Sequence, residues 1–420
     1  MEALRDGHKV QHWVKRTVKG DINPAGKGIL PRIEDWEKYM GWADIIIPTD
    51  NNFPIRQLET YRKKGFPIFG PNMAGADLEL NRTLGLNVLE KAQIHSAPYK
   101  EFSSYSDAIA HIKAQPKKRF VCKPCGDLAK ELSYVSKSGQ DMVFMLEKWA
   151  SQGKPKCNFI LQEFVGGIEV AVGAWMGASG FSQYVCEGFE FKKLMPGNWG
   201  PNTGEMGSSL KYTTNSQLFK ETLELFEDHL VYTGYTGFID LAFIIDEAGE
   251  PRPLEWTSRF GWPTRNIQAE MHRGDSIRWM KDLLDGFDTL KIVGEDQVGT
   301  GFAVCIPDFP YKTARDSTGY PIYGLEKAKG VHLCEVMMGT APTQDGSNIT
   351  NQKMIVSSGT AVADVCANGP TVSESAKIAY DRVKQLEIPN SPIVRDDIGE
   401  RLEKELPVLQ KYGYMKSWKY

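Results

Sequence analysis

The string Gly200-Pro-Asn-Thr-Gly-Glu-Met-Gly207 constrains this chain more than any other stretch. Its glycines and proline fix an irregular backbone and let N–H groups come close to an anion. A surface turn is the ordinary reading of such residues, but chance seldom supplies them in this order. The surrounding pattern is that of a layered protein. Residues 7–14 have strand character, 43–48 form a continuous apolar run, 55–64 have helical character and stop at Gly65, and 67–69 make a further strand. That order predicts a βαβ unit and a parallel sheet, with Asp50 and Gly70–Pro71 at the strand ends where ligands gather. A helix over 76–92 follows. Residues 120–122, 159–163, 169–176 and 183–189 alternate as strands of an antiparallel sheet. Residues 196–207 are expected as a loop, 216–231 as an amphipathic helix, and 238–245 with 253–256 as strands paired around a turn at 247–250. More strands follow from about 296, then a helix near 373–386.

With 420 residues the chain is too long for one ordinary core, so two to four structural units are expected. A net charge of −3 gives no basic field for nucleic acid or an anionic membrane. The apolar runs are too short to span a bilayer, and the first residues lack a secretory apolar core. Seven cysteines, an odd number, argue against a disulfide framework and for a reducing, cytoplasmic setting. Cys122 and Cys125 have C-x-x-C spacing, but no second pair completes a zinc site.

The glycine string matches, at seven of eight positions, the Gly-Pro-Asn-Thr-Gly-Gly-Met-Gly signature of the glycinamide ribonucleotide synthetase (phosphoribosylamine–glycine ligase) family of ATP-grasp enzymes. Five further segments resemble that family in the same order. They are Ile68-Phe-Gly-Pro71, Leu161-Gln-Glu-Phe-Val-Gly-Gly-Ile-Glu169, Glu190-Phe-Lys192, Leu254-Glu-Trp-Thr-Ser-Arg-Phe-Gly-Trp-Pro263 and Arg395-Asp-Asp-Ile-Gly399. The resemblance implies an α/β and α+β multidomain chain. Residues 1–71 would be a Rossmann-like pre-ATP-grasp domain, 72–295 the ATP-grasp domain with a small lid at about 98–165, and 296–420 a small β-rich C-terminal domain. It also implies an ATP-dependent carboxylate–amine ligase that forms ADP through an acyl phosphate. The substrates would be small molecules, an amino-acid-like carboxylate and an amine, with a modified nucleotide among the options. The chain would act as a monomer or homodimer.

The same resemblance assigns roles. Lys123 and Lys130 would meet phosphate oxygens, with the loop at 126–133 lying over them. The segment Gln162, Glu163, Phe164 and Val165 would read adenine through its backbone. Glu169 would accept both ribose hydroxyls, being acceptor-only when ionised. Lys192 would neutralise the terminal phosphate. Mg²⁺ (or Mn²⁺) takes carboxylate and phosphate oxygens, which points to Glu255, then Asp240, with Thr257 where the family has Asn. Arg259 would steady the acyl phosphate and the tetrahedral intermediate. Asp50, Pro201, Asn202, Thr203, Gly204 and Gly207 would face the substrates.

The chain also departs from the family. It begins after the family's first strand and Gly-rich loop, so phosphoribosylamine itself is expected to be a poor substrate. The helix lysine that touches ATP in the family falls on Leu86, with Arg82 one turn earlier. The phosphate loop carries Leu128-Ala-Lys-Glu-Leu132 in place of glycines, and Trp199, Trp256 and Trp262 add bulk. The competing reading is a nucleotide-binding protein of the same fold that has lost catalysis.

Overall fold

The computed structural model describes residues 1–15, 23–125, 132–154, 158–311, 317–345, 347 and 352–420. The expectations placed on Lys130 and on residues 126–131 of the loop at 126–133 lie outside the described residues. The first 71 residues carry α1 (Glu2–Arg5) and α2 (Ile55–Arg62). Parallel pairing is present here as two isolated bridges, His12 with Arg32 and Ile46 with Ile68. The ladders expected at 7–14 and 43–48 are not formed, because each run meets its neighbour at one residue only. Helix α2 does end before Gly65, which takes a left-handed φ of 82°. The helix expected at 76–92 is two helices, α3 (Met73–Leu80) and α4 (Arg82–Lys91). Asn81 separates them, its side chain accepting from Leu84 N–H as the α4 cap.

The next unit has its own sheet. Strands β1 (Tyr99–Phe102), β2 (Phe120–Pro124), β3 (Tyr134–Val135) and β4 (Phe159–Glu163) form it in the order β1-β4-β2-β3. Helices α5 (Tyr105–Lys113) and α6 (Gly139–Ser151) cover one face. Phe102, Ile112, Phe120, Leu146 and Phe159 pack between them. The four apolar runs therefore belong to two sheets, not one.

The second sheet holds the molecule together. Strands β5 (Ile168–Gly177), β6 (Gly180–Met195), β7 (Trp199–Thr213), β8 (Gly237–Ile245) and β9 (Pro251–Thr257) are antiparallel neighbours in the order β7-β6-β5-β8-β9. Successive β5 residues point to opposite faces, as a strand's period of two demands. Val170 and Val172 enter a core with Leu86, Phe189 and Trp256, while Trp175 enters the other with Phe69 and Trp279. Between β7 and β8, the helix expected at 216–231 is broken into α7 (Gln217–Glu221), a 3₁₀ turn and α8 (Glu227–Tyr232).

The sheet does not stop at residue 295. After α9 (Thr264–Met271), β10 (His272–Arg273), α10 (Ser276–Leu284) and β11 (Lys291–Ile292), strand β12 (Val298–Cys305) pairs with β7. The outer strands are β13 (Val331–Leu333) and β16 (Ala361–Gly369); β14 (Val336–Ala341) and β15 (Gln352–Ser357) make a separate hairpin. Gly207 permits the β7–β12 junction, since a Cβ there would lie 2.7 Å from Gly301 O. Helix α11 (Val372–Val383), β17 (Ile393–Val394) and α12 (Leu402–Tyr412) close the chain.

Candidate functional site

One face of the central sheet carries the chemistry. Register puts Glu169, Ala171 and Gly173 of β5 on that face. Gly188, Glu190 and Lys192 of β6 lie to one side, and Asp240 of β8 with Glu255 and Thr257 of β9 lie to the other. At one end the charges are paired. Lys192 Nζ lies 3.0 Å from Glu169 Oε1, 3.0 Å from Glu190 Oε2 and 3.2 Å from Glu255 Oε1. Burial alone would lower the Lys192 pKa, but Glu169, Glu190 and Glu255 outweigh it and raise it well above the usual lysine value. Glu255 also meets Arg82 Nη2 at 3.4 Å. The cations Lys192, Arg82 and Lys123 hold its carboxyl far below the usual range against the opposing effect of burial.

Lys123, on β2 of the small sheet, reaches across to donate to Leu254 O at 3.2 Å. Burial, then the charges of Arg82 and Lys192, brings its pKa down to about 7, with Glu255 opposing. Leu86 is buried under β9 with Leu89 and Trp256, while Arg82 is the α4 cation that reaches Glu255. The spacing of α4, one turn between the two, already contained this. Gln162 is buried and donates to Ala97 O at 3.2 Å, so its side chain ties β4 down. Glu163 pairs with Lys118, and the Arg119 guanidinium lies 3.6 Å from the Phe164 ring centroid. Val165 is half-buried beside them.

The Gly200–Gly207 string is not an open loop. After a 3₁₀ turn at Pro196–Asn198 it runs as the first half of β7. The pairing has one large irregularity: Asn202 faces Lys193 and Gly207 faces Phe191, so Thr203, Gly204, Glu205 and Met206 all lie opposite Lys192. Thr203 Oγ1 donates to Lys192 O at 2.8 Å and fastens the bulge. The irregular backbone expected from composition exists, but inside a ladder. Pro201 and Thr203 are half-buried, and Asn202 and Gly204 exposed.

Acidic side chains gather at and beside the bulge. Glu205 is buried and accepts from Ser208 Oγ. Burial, then the charge of Glu190, pushes its carboxyl well above the usual range, and Asp240 adds to this. Asp240 is 7% exposed, its Oδ1 has no hydrogen-bond partner among the described residues, and burial with Glu190 raises its pKa well above the usual value. It lines a hollow with Ala171, Gly173, Gly188, Glu190 and Thr264. Following β9, Arg259 Nε meets Glu79 Oε1 at 3.3 Å. Glu79 Oε2 accepts from Asn51 Nδ2 at 2.7 Å and from Ser258 N–H at 2.8 Å. Burial opposes the Arg259 charge, but Glu79, Asp50 and Asp240 raise its pKa. Asp50 is exposed and takes the N–H of Asn51, 2.7 Å away. Sequence reasoning missed Glu79, Glu190 and Glu205. The last is the single mismatch in the glycine string, and that mismatch was the available signal.

A C-terminal clamp holds this face in place. Arg395 is buried, donates to Lys193 O at 2.8 Å and Asn198 Oδ1 at 3.0 Å, and pairs with Asp397. Arg401 donates to Glu190 O at 3.1 Å.

A small four-stranded sheet and a large antiparallel sheet thus place Lys123 and Lys192 near one group of carboxylates, and the fold is one shared with ATP-grasp enzymes. Residues 82–264 carry the match to the phosphoribosylglycinamide synthetase ATP-grasp (A) domain. Over 353 residues the chain is 25% identical to the phosphoribosylamine–glycine ligase of Leptospira interrogans, covering 80% of this chain and 78% of that one. The crystal structure of the Thermotoga maritima phosphoribosylamine–glycine ligase superposes with a TM-score of 0.67 at 19% identity, covering 94% and 95% of the two chains. An L-amino acid ligase from Bacillus licheniformis gives 0.54 at 14% identity, covering 93% and 94%. Among the described residues no helix is long and apolar enough to cross a membrane.

Proposed function

We propose that this chain is an ATP-dependent ligase that activates a carboxylate and joins it to an amine, in the manner of the phosphoribosylamine–glycine ligases it resembles. The observation that carries the reading is Lys192, held among Glu169, Glu190 and Glu255 and facing Lys123 from the lid. A carboxylate is a poor electrophile at neutral pH, so it must be activated, and moving a phosphoryl group needs fixed cations beside its oxygens. Lys192, Lys123 and Arg82 are such cations: carboxylates pair with Lys192 and Arg82, and the Leu254 carbonyl accepts from Lys123. A triphosphate entering between the two sheets takes the place of these acceptors at Lys192 and Lys123. Residues 162–165, at the end of β4 and the start of the connection to β5, and Glu169 serve the nucleoside end.

Glu255 fits a metal: it is ionised, 40% exposed and on the same face as the Thr257 hydroxyl. No group of three or more His, Cys, Asp or Glu that could hold a metal occurs among the described residues, so phosphate oxygens and water must complete an octahedral shell. A Mg²⁺ ion there would supply neutralising charge at the phosphates. Arg259, paired with Glu79, would hold a carboxylate and the oxyanion formed on attack. Release of ADP that requires both an amino acid and an amine tests the reading. Nucleotide binding without ADP release across a panel of both would replace it with a non-catalytic nucleotide-binding protein.

A further inference from the structure

We infer that Glu79 is the positioning residue for Arg259: it holds the guanidinium at Nε, ties that hold to Asn51 of the first 71 residues, and leaves Nη2 to receive the substrate carboxylate. This rests on the ligase reading and adds a residue to its carboxylate site. Three observations carry it. First, both oxygens of Glu79 are used, each on a different segment. Oε1 meets Arg259 Nε at 3.3 Å, while Oε2 accepts from Asn51 Nδ2 at 2.7 Å and from the Ser258 N–H at 2.8 Å. Asn51 Nδ2 also donates to Ser258 Oγ at 3.2 Å, and both residues are buried. Residue 51, α3 and the segment after β9 are thus joined at one carboxylate. Second, the guanidinium is engaged at two of its three nitrogens. Nη1 donates to Phe260 O at 3.3 Å, and Nη2 makes no hydrogen bond among the described residues. Third, Glu79 stands on a helix that is itself fixed. Asn72 caps α3 by accepting from the Gly75 N–H at 2.8 Å, and donates to Thr233 O at 2.8 Å. A Cβ at Gly75 would lie 2.3 Å from the Tyr235 ring, so the helix lies directly against it.

Arg259 needs such a hold because Glu79 is not the only acid near it. The charges of Asp50, Asp240 and Glu255 also act on its guanidinium. A long, flexible cation among four carboxylates would swing onto whichever is nearest, and so close itself to substrate. Glu79 at Nε and the Phe260 carbonyl at Nη1 fix the plane of the group, because its five N–H donors form one rigid fork. The Nη2 donors then point in a set direction before any ligand arrives. A carboxylate held there needs no rearrangement of the arginine, and a displacement of about 1 Å at such a group can cost about a hundredfold in rate. The Arg259 side chain is 29% exposed and that of Glu79 18%, so the arginine is the more open of the pair.

Nitrogen-15 relaxation of the Arg259 Nε–H in the full chain tests this, with the resonance assigned by its absence in Arg259→Lys. Acetate serves as the carboxylate probe, titrated in the presence of a non-hydrolysable ATP analogue and Mg²⁺ and read from the same resonance. We expect an order parameter of about 0.8 in the wild type and below about 0.6 in the isosteric Glu79→Gln. Acetate should bind at least about tenfold more weakly to Glu79→Gln, while affinity for the ATP analogue stays within about twofold. Asn51→Ala leaves the charge of Glu79 in place and should move both readouts the same way, by less. Thermal melting checks folding, and if Glu79→Gln does not fold, Asn51→Ala carries the test alone. An order parameter unchanged in the folded variants overturns the proposal, as does the absence of any acetate-dependent shift at Arg259 in the wild type. Tighter acetate binding to Glu79→Gln also overturns it, since Glu79 then competes with the carboxylate for Arg259 instead of presenting the arginine to it. ADP release is scored separately: its absence counts against the ligase reading, whereas the order of Arg259 and its affinity for acetate are read without turnover.

Discussion

Among single residues, Lys123 and Glu255 report most directly on the site. Lys123 has its pKa lowered to about 7 by burial and neighbouring cations. A bound triphosphate favours the charged amine, so ATP should bind with proton uptake above pH 7, and its affinity should fall as pH rises from about 7. Comparing binding enthalpies in buffers of different ionisation heat at pH 8 checks the uptake. The unliganded fold shows the matching sign: the unfolded chain binds more protons between pH 7 and 10.5, so the penalty from Lys123 is full below 7 and fades as pH rises. Lys123→Ala should weaken ATP binding roughly tenfold or more, as loss of a charge-assisted contact does. Glu255→Gln should lower Mg²⁺-dependent ADP release by about a hundredfold or more while the protein still folds. Turnover near the wild-type rate would remove Glu255 from the metal site. Most of these residues were legible as sequence because each lies in a short string whose neighbours are also constrained. Glu79 was not, since it reaches Arg259 and Ser258 from a helix some 180 residues earlier, and only folding brings them together.

At the level of elements, alternation identified β4, β5, β8 and β9 well, because strands buried on one or both faces leave apolar runs of the right length. It failed where a run was broken by polar signals that tertiary contacts override. The glycine string became half of β7 because β6 pairs with it at Asn202 and Gly207 and β12 joins it on the other side at Gly207. The first two parallel strands shrank to single bridges because nothing in an apolar run records how many partners it will meet. Close contact between β7 and β12 makes Gly207 a structural position as well as a motif residue. Gly207→Ala places a methyl 2.7 Å from Gly301 O and 2.9 Å from Phe302 Cβ, and should cost about 1–3 kcal/mol of overpacking, measured by denaturant unfolding.

For the molecule as a whole, the C-terminal third is part of the site's frame. Arg395 is 1% exposed, pairs with Asp397, and holds the end of the β6–β7 hairpin through Lys193 O and Asn198. Arg395→Ala leaves Asp397 without that partner and should destabilise by about 3–5 kcal/mol in chemical denaturation. Arg395→Lys should rescue little, because one ammonium cannot reproduce the guanidinium fork. The clamp also sets an order of events during synthesis. Residues 190–193 leave the ribosome some two hundred residues before the arginines at 395 and 401 that fasten their backbone. The growing chain must therefore carry its β6–β7 hairpin unlatched until residues 395–401 have been made, and only then can this face of the sheet acquire its final geometry.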